Sequence, residues 1–247
     1  MNRPETHDAV DRSFYDAVTD NNMAHLRGDK EITALFNDGL RQLDISLSVE
    51  KVGKLARYAA ELYKWNQRIN LVARKTGMPD IIEIHFLDSL TLLPFFPETG
   101  QAGTVLLDVG TGAGFPGLVL AVVRPKLRVI LLEPRLKRIS FLNHVKRLLK
   151  LDNVEVIGSR LEDADTLGAE NIDWVTCRAL TEPQKFLFMV APFMERGARA
   201  LLMLGPGAEV GIAKQLPGRC FVETRKDVVL PRSGAKRTLL AVKSRGK

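Results

Sequence analysis

Cysteine is scarce in this chain. Cys177 and Cys220 are the only two among 247 residues, and the histidines number four. So few thiols exclude a disulfide-stapled secreted scaffold, and neither residue type falls at metal-ligand spacing. No structural metal is expected, and a cytoplasmic location is the simplest reading. Long apolar runs are missing as well. No stretch approaches bilayer-spanning length, and Met1 to Asp20 lacks the apolar centre of a secretory signal, so no membrane partner is expected. Internal repeats and low-complexity blocks are absent, which excludes solenoid and fibrous architectures. What remains is a globular composition, 45% hydrophobic with a mean hydropathy of -0.03. It suffices for one core of ordinary size with a modest extra subdomain, and a monomer is expected.

Acidic charge is also in deficit. The net charge is +7 and the isoelectric point about 9.5. Arg124, Lys126, Arg128, Arg135, Lys137, Arg138, Lys146, Arg147 and Lys150 crowd one segment. A second basic region runs from Arg219 through Arg225, Lys226, Arg232, Lys236 and Arg237 to Lys247. Such clusters suit a polyanion such as RNA, but a solvated face that happens to be basic has the same composition.

The chain divides into three parts. Residues 1–30 are polar and aperiodic and read as a mobile tail. Residues 31–98 read as a helical subdomain. Ile32, Leu35, Phe36, Leu40 and Leu43 recur at helical spacing. Val52, Leu55, Ala56, Ala59, Leu62 and Tyr63 do so again behind Ser48, a residue suited to an N-cap. A third helix is expected from Asp80 towards Leu93, stopping before Pro94. Residues 99–247 alternate strands and helices, with strands at 104–109, 128–132, 154–157, 172–177, 198–204, 219–230 and 238–243. This α/β pattern predicts a mostly parallel seven-stranded sheet with helices on both faces. The loop Pro231 to Arg237 is too short for a crossover, so the last two strands must form a hairpin and the last strand must be antiparallel.

The densest chemical signal is Val105-Leu106-Leu107-Asp108-Val109-Gly110-Thr111-Gly112-Ala113-Gly114-Phe115-Pro116-Gly117. An apolar strand enters a glycine turn that opens a helix, the first unit of a doubly wound domain whose ligands sit at the strands' carboxyl ends. Gly112 to Gly117 formally matches the dinucleotide fingerprint. The strand, however, ends at Val109. Counted from Gly110, the third glycine position falls on Phe115, whose ring would oppose close helix–strand packing. Glu133 ends the next strand, about twenty residues on, where a carboxylate can accept from both hydroxyls of a ribose. Glu133-Pro134 also suits a helix start, and the two roles are compatible. The residues alone leave three readings: S-adenosylmethionine, a dinucleotide, or a turn that binds nothing.

A specific resemblance decides among them. Asp-x-Gly-x-Gly after a strand resembles the first motif of class I (Rossmann-like) methyltransferases. Trp65-Asn66-Gln67-Arg68-Ile69-Asn70-Leu71, His85-Phe86-Leu87-Asp88-Ser89-Leu90 and the glycine loop resemble successive signatures of one bacterial family, the RsmG/GidB 16S ribosomal RNA guanine-N7 methyltransferases. Lys137-Arg138 with Phe141-Leu142, Ser159-Arg160-Leu161-Glu162, Cys177-Arg178-Ala179-Leu180 and Arg237-Thr238-Leu239-Leu240 continue the likeness in order, over residues 31 to 245. The resemblance implies the class I methyltransferase fold and S-adenosyl-L-methionine as cofactor. It implies a pocket including Gly110, Gly112 and Phe115, with Glu133 at the ribose, Leu161 and Glu162 by the adenine, and Arg178 at the sheet edge. The implied partner is 16S ribosomal RNA or the 30S subunit, methylated at one guanine of the 530 loop.

Guanine N7 bears a lone pair and no proton, so its methylation requires no general base, and the sequence offers no evident catalytic dyad. Phe115 or Trp174 could stack on a base, though each also suits the core. Trp65, Asn66, Asn70, His85 and Asp88 read as structural, with His85 and Asp88 placed to form a hydrogen-bonded pair. The chain departs from the family at Leu204, where a lysine is usual, which leaves target positioning open. The alternatives are a methyltransferase of another RNA position or a small molecule, and a non-catalytic RNA-binding assembly factor.

Overall fold

The computed structural model describes residues 28, 30–73, 76–98, 103–164, 167, 170–178, 182–206, 216 and 220–245. The expected tail falls outside the described residues except at 28 and 30. So do Ala179, Leu180, Arg219 and Lys247. The helices are α1 (30–42), α2 (Val49–Asn66), α3 (Met78–Ile81), α4 (Asp88–Leu90), α5 (Gly117–Val123), α6 (Leu136–Leu149) and α7 (Pro183–Glu195). The strands are β1 (Val105–Val109), β2 (Arg128–Leu132), β3 (Val154–Ile157), β4 (Trp174–Cys177), β5 (Arg199–Leu204), β6 (Cys220–Val229) and β7 (Lys236–Ser244).

Local chemistry explains the helical part. Ser48 Oγ accepts from the Lys51 N–H at 3.3 Å, which caps α2, and Glu50 stands in its first turn. Leu55, Ala56, Ala59 and Leu62 form its buried stripe. At its end, the buried Asn66 Oδ1 takes the N–H groups of Leu71 (2.9 Å) and Val72 (3.0 Å), which fixes the exit of the chain. The third helix departs from expectation. A π-helical turn, Ile82–Leu87, joins α3 to α4. Pro94 does not end the helical path but lies within a short 3-10 turn, Leu93–Phe95. Proline is tolerated there because the first residues of a helical turn have no N–H bond to lose.

The seven strands form one sheet in the order β3-β2-β1-β4-β5-β7-β6. Strands β1 to β5 pair in parallel, while β7 enters antiparallel between β5 and β6. Every residue of β1 is buried, as a central parallel strand covered on both faces requires. Alternation sends Leu106, Val129 and Leu131 to one face with α1, α2, α5 and α6. Leu107, Ile130 and Val175 go to the other with α7. The helical segment has no separate core. Tyr58 and Phe86 pack with Phe115 and Phe141 in the same cluster as the sheet. The turn between β6 and β7 is tied back to this segment. The buried Glu83 accepts from the N–H groups of Arg232 and Ser233, and Asp80 pairs with the Arg232 guanidinium.

Candidate active site

The carboxyl ends of β1, β2, β3 and β4 converge on the glycine loop. Asp108 is fully buried beneath it. Its Oδ2 accepts from Thr111 Oγ1 (2.7 Å) and the Gly117 N–H (2.8 Å), while Oδ1 has no partner. Burial pushes this carboxyl up to about 6, against the opposing pull of those two hydrogen bonds. The loop is held to β2 by the Gly110 and Thr111 N–H groups, which donate to the Leu132 carbonyl at 2.8 and 3.1 Å.

Glu133 is the second buried acid. Its Oε2 accepts from the Gly112 N–H (3.0 Å) and lies 3.4 Å from Arg138 Nη1, while Oε1 accepts from the Arg135 N–H (3.0 Å). It therefore braces both the loop and the start of α6, and each oxygen retains acceptor capacity towards the cleft. Gly110 and Gly112 sit at φ values of +65° and +63°. A Cβ on Gly112 would meet nothing nearer than Arg138 Nη1 at 3.7 Å, so the loop is open on that side. Gly114 and Gly117 differ. A Cβ on Gly114 would lie 2.5 Å from Tyr58 Oη, and one on Gly117 would lie 2.8 Å from Asp108 Oδ2. These two glycines provide the close helix–strand packing that Phe115 cannot.

A cleft of about 390 Å³ opens between loop and sheet edge, a size suited to a small-molecule ligand. Of the expected site residues, it brings together Gly110, Glu133, Leu161 and Glu162, and Gly112 adjoins it through its bond to Glu133. Arg138, Ser159, Arg160 and Met189 also line it. Met189 carries no signal in the sequence, because α7 reaches the cleft only through the fold. Leu161 and Glu162 occupy a short 3-10 turn, Leu161–Asp163, and also border a second cavity of about 360 Å³ beside α7.

Phe115 and Arg178 lie behind the loop rather than in this cleft. The Phe115 ring is buried, stacked between Tyr58 (5.6 Å) and His85 (5.0 Å), with the Arg178 guanidinium 5.0 Å from its centre. Tyr58 donates its hydroxyl to the Ala113 carbonyl and so supports the loop from below. Arg178 donates to the Ile84 carbonyl (2.7 Å) and to His85 Nδ1 (2.6 Å). Arginine can only donate, so His85 accepts at Nδ1 and carries its proton on Nε2. Burial, and then the adjacent guanidinium, push this histidine down to about 3.

Two expectations are corrected here. His85 and Asp88 do not bond one another. Each engages an arginine instead: Asp88 Oδ1 accepts from Arg237 Nε at 3.0 Å, and Oδ2 lies 3.9 Å from Arg178. Burial raises Asp88, opposed by Arg237 and Arg178. Trp174 stands at the opposite, amino-terminal edge of the sheet. It packs on Phe95 and Phe96 there, so it cannot stack on a base beside the cleft.

Comparison with known proteins fixes the relationship. Residues 51–240 match the family model described as rRNA small subunit methyltransferase G. A protein of that name from Desulfotalea psychrophila is 41% identical over 210 residues, covering 83% of this chain and 95% of the relative. Another from Geobacter metallireducens is 34% identical over 218 residues, covering 87% and 97%. The chain belongs to this family. Its sheet order, with β7 antiparallel among parallel strands, is that of class I methyltransferases. Among solved structures, a SAM-dependent methyltransferase from Aquifex aeolicus is similar with a TM-score of 0.47 and 24% identity, over 66% of this chain and 93% of that one.

The residues present suit S-adenosylmethionine, the cofactor that the resemblance implies. The open glycine loop and the buried Glu133 offer a cradle for a ribose and its substituents. The partnerless oxygen of Asp108 leaves negative potential beneath the loop, which favours a cationic sulfonium compound. Among the described residues no helix is long and apolar enough to cross a membrane, and no group of His, Cys, Asp or Glu could hold a metal ion.

Proposed function

We propose that this methyltransferase modifies N7 of a guanine in the 530 loop of 16S ribosomal RNA, acting in the cytoplasm on the 30S subunit or a precursor. Gly110, Gly112, Glu133, Leu161 and Glu162 would hold the cofactor. Phe115 and Arg178 would act from behind the loop, by fixing its shape. When bound, S-adenosylmethionine supplies an electrophilic methyl group.

The observation that supports N7 is that the candidate bases packed behind and beneath the loop are engaged or buried. His85 Nδ1 is occupied by Arg178, and Asp88 holds Arg237. Tyr58 donates to Ala113, and burial raises its hydroxyl well above the ordinary range. Asp108 is sealed beneath the loop, and Glu133 accepts a backbone N–H on each oxygen and would face the ribose. A nucleophile carrying a proton would normally recruit a base, and those behind the loop are occupied. A guanine N7 needs none, and holding it in line with the methyl group can supply about 7–11 kcal/mol of the barrier lowering.

The test is incubation with labelled S-adenosylmethionine and 30S subunits or bare 16S RNA, followed by mapping of the product. N7-methylguanine is cationic, and its strand is cleaved by reduction followed by aniline. Cleavage at one guanine of the 530 loop is expected. A methylated RNA that resists cleavage would overturn the N7 assignment.

A further inference from the structure

The net charge of this chain is not spread evenly once ion pairs are discounted. Arg128 is held by Glu155 and Glu170, Arg124 by Glu98, Arg225 by Asp227, Arg232 by Asp80 and Arg237 by Asp88. These pairs neutralise part of each basic segment, while Lys126, Arg135, Lys146, Lys150, Lys226 and Lys236 have no ion pair among the described residues. The seam between α2 and α6 gathers unpaired cations from two packed helices. Arg57, Glu61, Lys64 and Arg68 recur at three- and four-residue spacing and so form one stripe along α2. Glu61 reaches across to His144 of α6 at 2.7 Å, and Trp65 packs on Phe141 and His144 beneath. Lys137 and Arg147, seven before and three after His144, flank the same seam.

Arg57, Arg68, Lys137 and Arg147 are exposed and have no acidic partner among the described residues. Lys64 lies 3.6 Å from Glu61, whose other oxygen is on His144. The first turn of α6 adjoins the cleft through Arg138 and Glu133. Free cations thus run from the mouth of the cofactor cleft along two helices, one from the helical segment and one from the sheet domain.

We propose that the α2–α6 seam is the docking surface for the phosphate backbone of the RNA substrate. The inference rests on the RNA-methyltransferase reading above. It gives the amino-terminal helices a binding role beyond covering the sheet: the sheet domain presents the cofactor, and the two helices hold the strand that delivers the base. Unpaired side-chain cations at such spacing neutralise phosphates without reading sequence.

The test uses the full chain and four proteins: the parent, Arg57→Glu with Arg68→Glu, Lys137→Glu with Arg147→Glu, and a charge-matched control, Lys126→Glu with Lys185→Glu, away from the seam. Binding to 16S RNA is measured against salt, together with calorimetric binding of S-adenosylhomocysteine and the melting temperature. Each seam pair should weaken RNA binding tenfold or more near 0.1 M salt. Each should also flatten the salt slope by about 0.7–0.9 for every phosphate no longer neutralised. Affinity for S-adenosylhomocysteine should not change, and the control should stay within twofold of the parent. Should a glutamate pair lower the melting temperature, the corresponding glutamine pair gives the same reading with less repulsion. Seam variants that bind RNA like a salt-sensitive parent would overturn this surface and leave the methyltransferase reading intact. A parent that binds S-adenosylhomocysteine but neither binds nor methylates RNA would overturn the RNA reading, and the surface with it.

Discussion

At the scale of single residues, two buried groups titrate in opposite directions around the same loop. His85 is pushed down to about 3, so the folded protein binds its proton less readily than the unfolded chain. That stabilisation is complete above the unfolded value of 6.5 and is lost as pH falls towards 3. Between pH 6.5 and 5 the loss is roughly 2 kcal/mol. Asp108 is raised from 3.8 to about 6, so its contribution is full below 3.8 and disappears as pH rises through 6. Its whole span is roughly 3 kcal/mol. The two slopes partly cancel in the parent, and single substitutions separate them. His85→Gln keeps an acceptor for Arg178 without titrating. Urea denaturation at pH 5 and 7 should show His85→Gln relatively more stable at pH 5 than the parent is. Asp108→Asn should be relatively more stable at pH 7. Equal pH dependence in parent and variant would show that the substituted residue does not titrate with folding. Arg178→Ala breaks the hydrogen bond to His85 and uncovers Phe115. It should lower the methyl-transfer rate or cofactor affinity at least severalfold, without creating a new pH dependence in single-turnover assays.

At the scale of elements, the glycine loop shows two kinds of glycine with separable effects. At Gly114 an added Cβ meets Tyr58 Oη at 2.5 Å and Leu118 Cβ at 2.9 Å, with φ at +97°. Gly114→Ala should cost roughly 1–3 kcal/mol from the backbone alone, more with the clash, and should appear as a lower melting temperature. Gly112 has open space beside it, so Gly112→Val acts mainly by filling the cleft. Calorimetry should show S-adenosylhomocysteine binding abolished, with a smaller loss of stability than at Gly114. Tight binding retained by Gly112→Val would remove that glycine from the cofactor site. Helices α2 and α6 were legible because each buries one periodic stripe, and Ser48 marks the start of α2; β1, β2 and α5 were legible as short apolar runs, buried almost throughout. The π-helical turn at Ile82–Leu87 was not, because periodicity cannot register one extra residue per turn. The paired glycines read as one motif in sequence, yet only the packing of Tyr58, Leu118 and Asp108 divides them into packing and cleft positions.

At the scale of the whole molecule, the reaction and the surface that feeds it give one kinetic expectation. With an N7 acceptor that has no proton to lose, the single-turnover rate on bound RNA should be nearly flat from mildly acidic to mildly basic pH. A tenfold climb per pH unit would count against N7 and point to an acceptor that loses a proton. Raising salt should weaken RNA binding steeply while leaving that bound-state rate unchanged, because phosphates position the strand and take no part in methyl transfer.

The sequence by itself determined the strand–glycine–helix unit, the order and spacing of Asp108 and Glu133, the closing hairpin and the family. These are local patterns, or strings of local patterns in order, and short-range chemistry writes them directly. Only the tertiary structure decided which partners the polar groups take. Asp88 and His85, three residues apart, each turn to an arginine distant in sequence, because the turn of β6–β7 and the end of β4 arrive beside the π-helical segment. Trp174 is carried to the far edge of the sheet, and Met189 into the cleft, by the direction of their elements. The same folding neutralises some basic residues of the chain and leaves others free, among them Arg57, Arg68, Lys137 and Arg147 along the α2–α6 seam. Charge can be counted in a sequence, but whether a cation is available depends on which carboxylate the fold brings within reach.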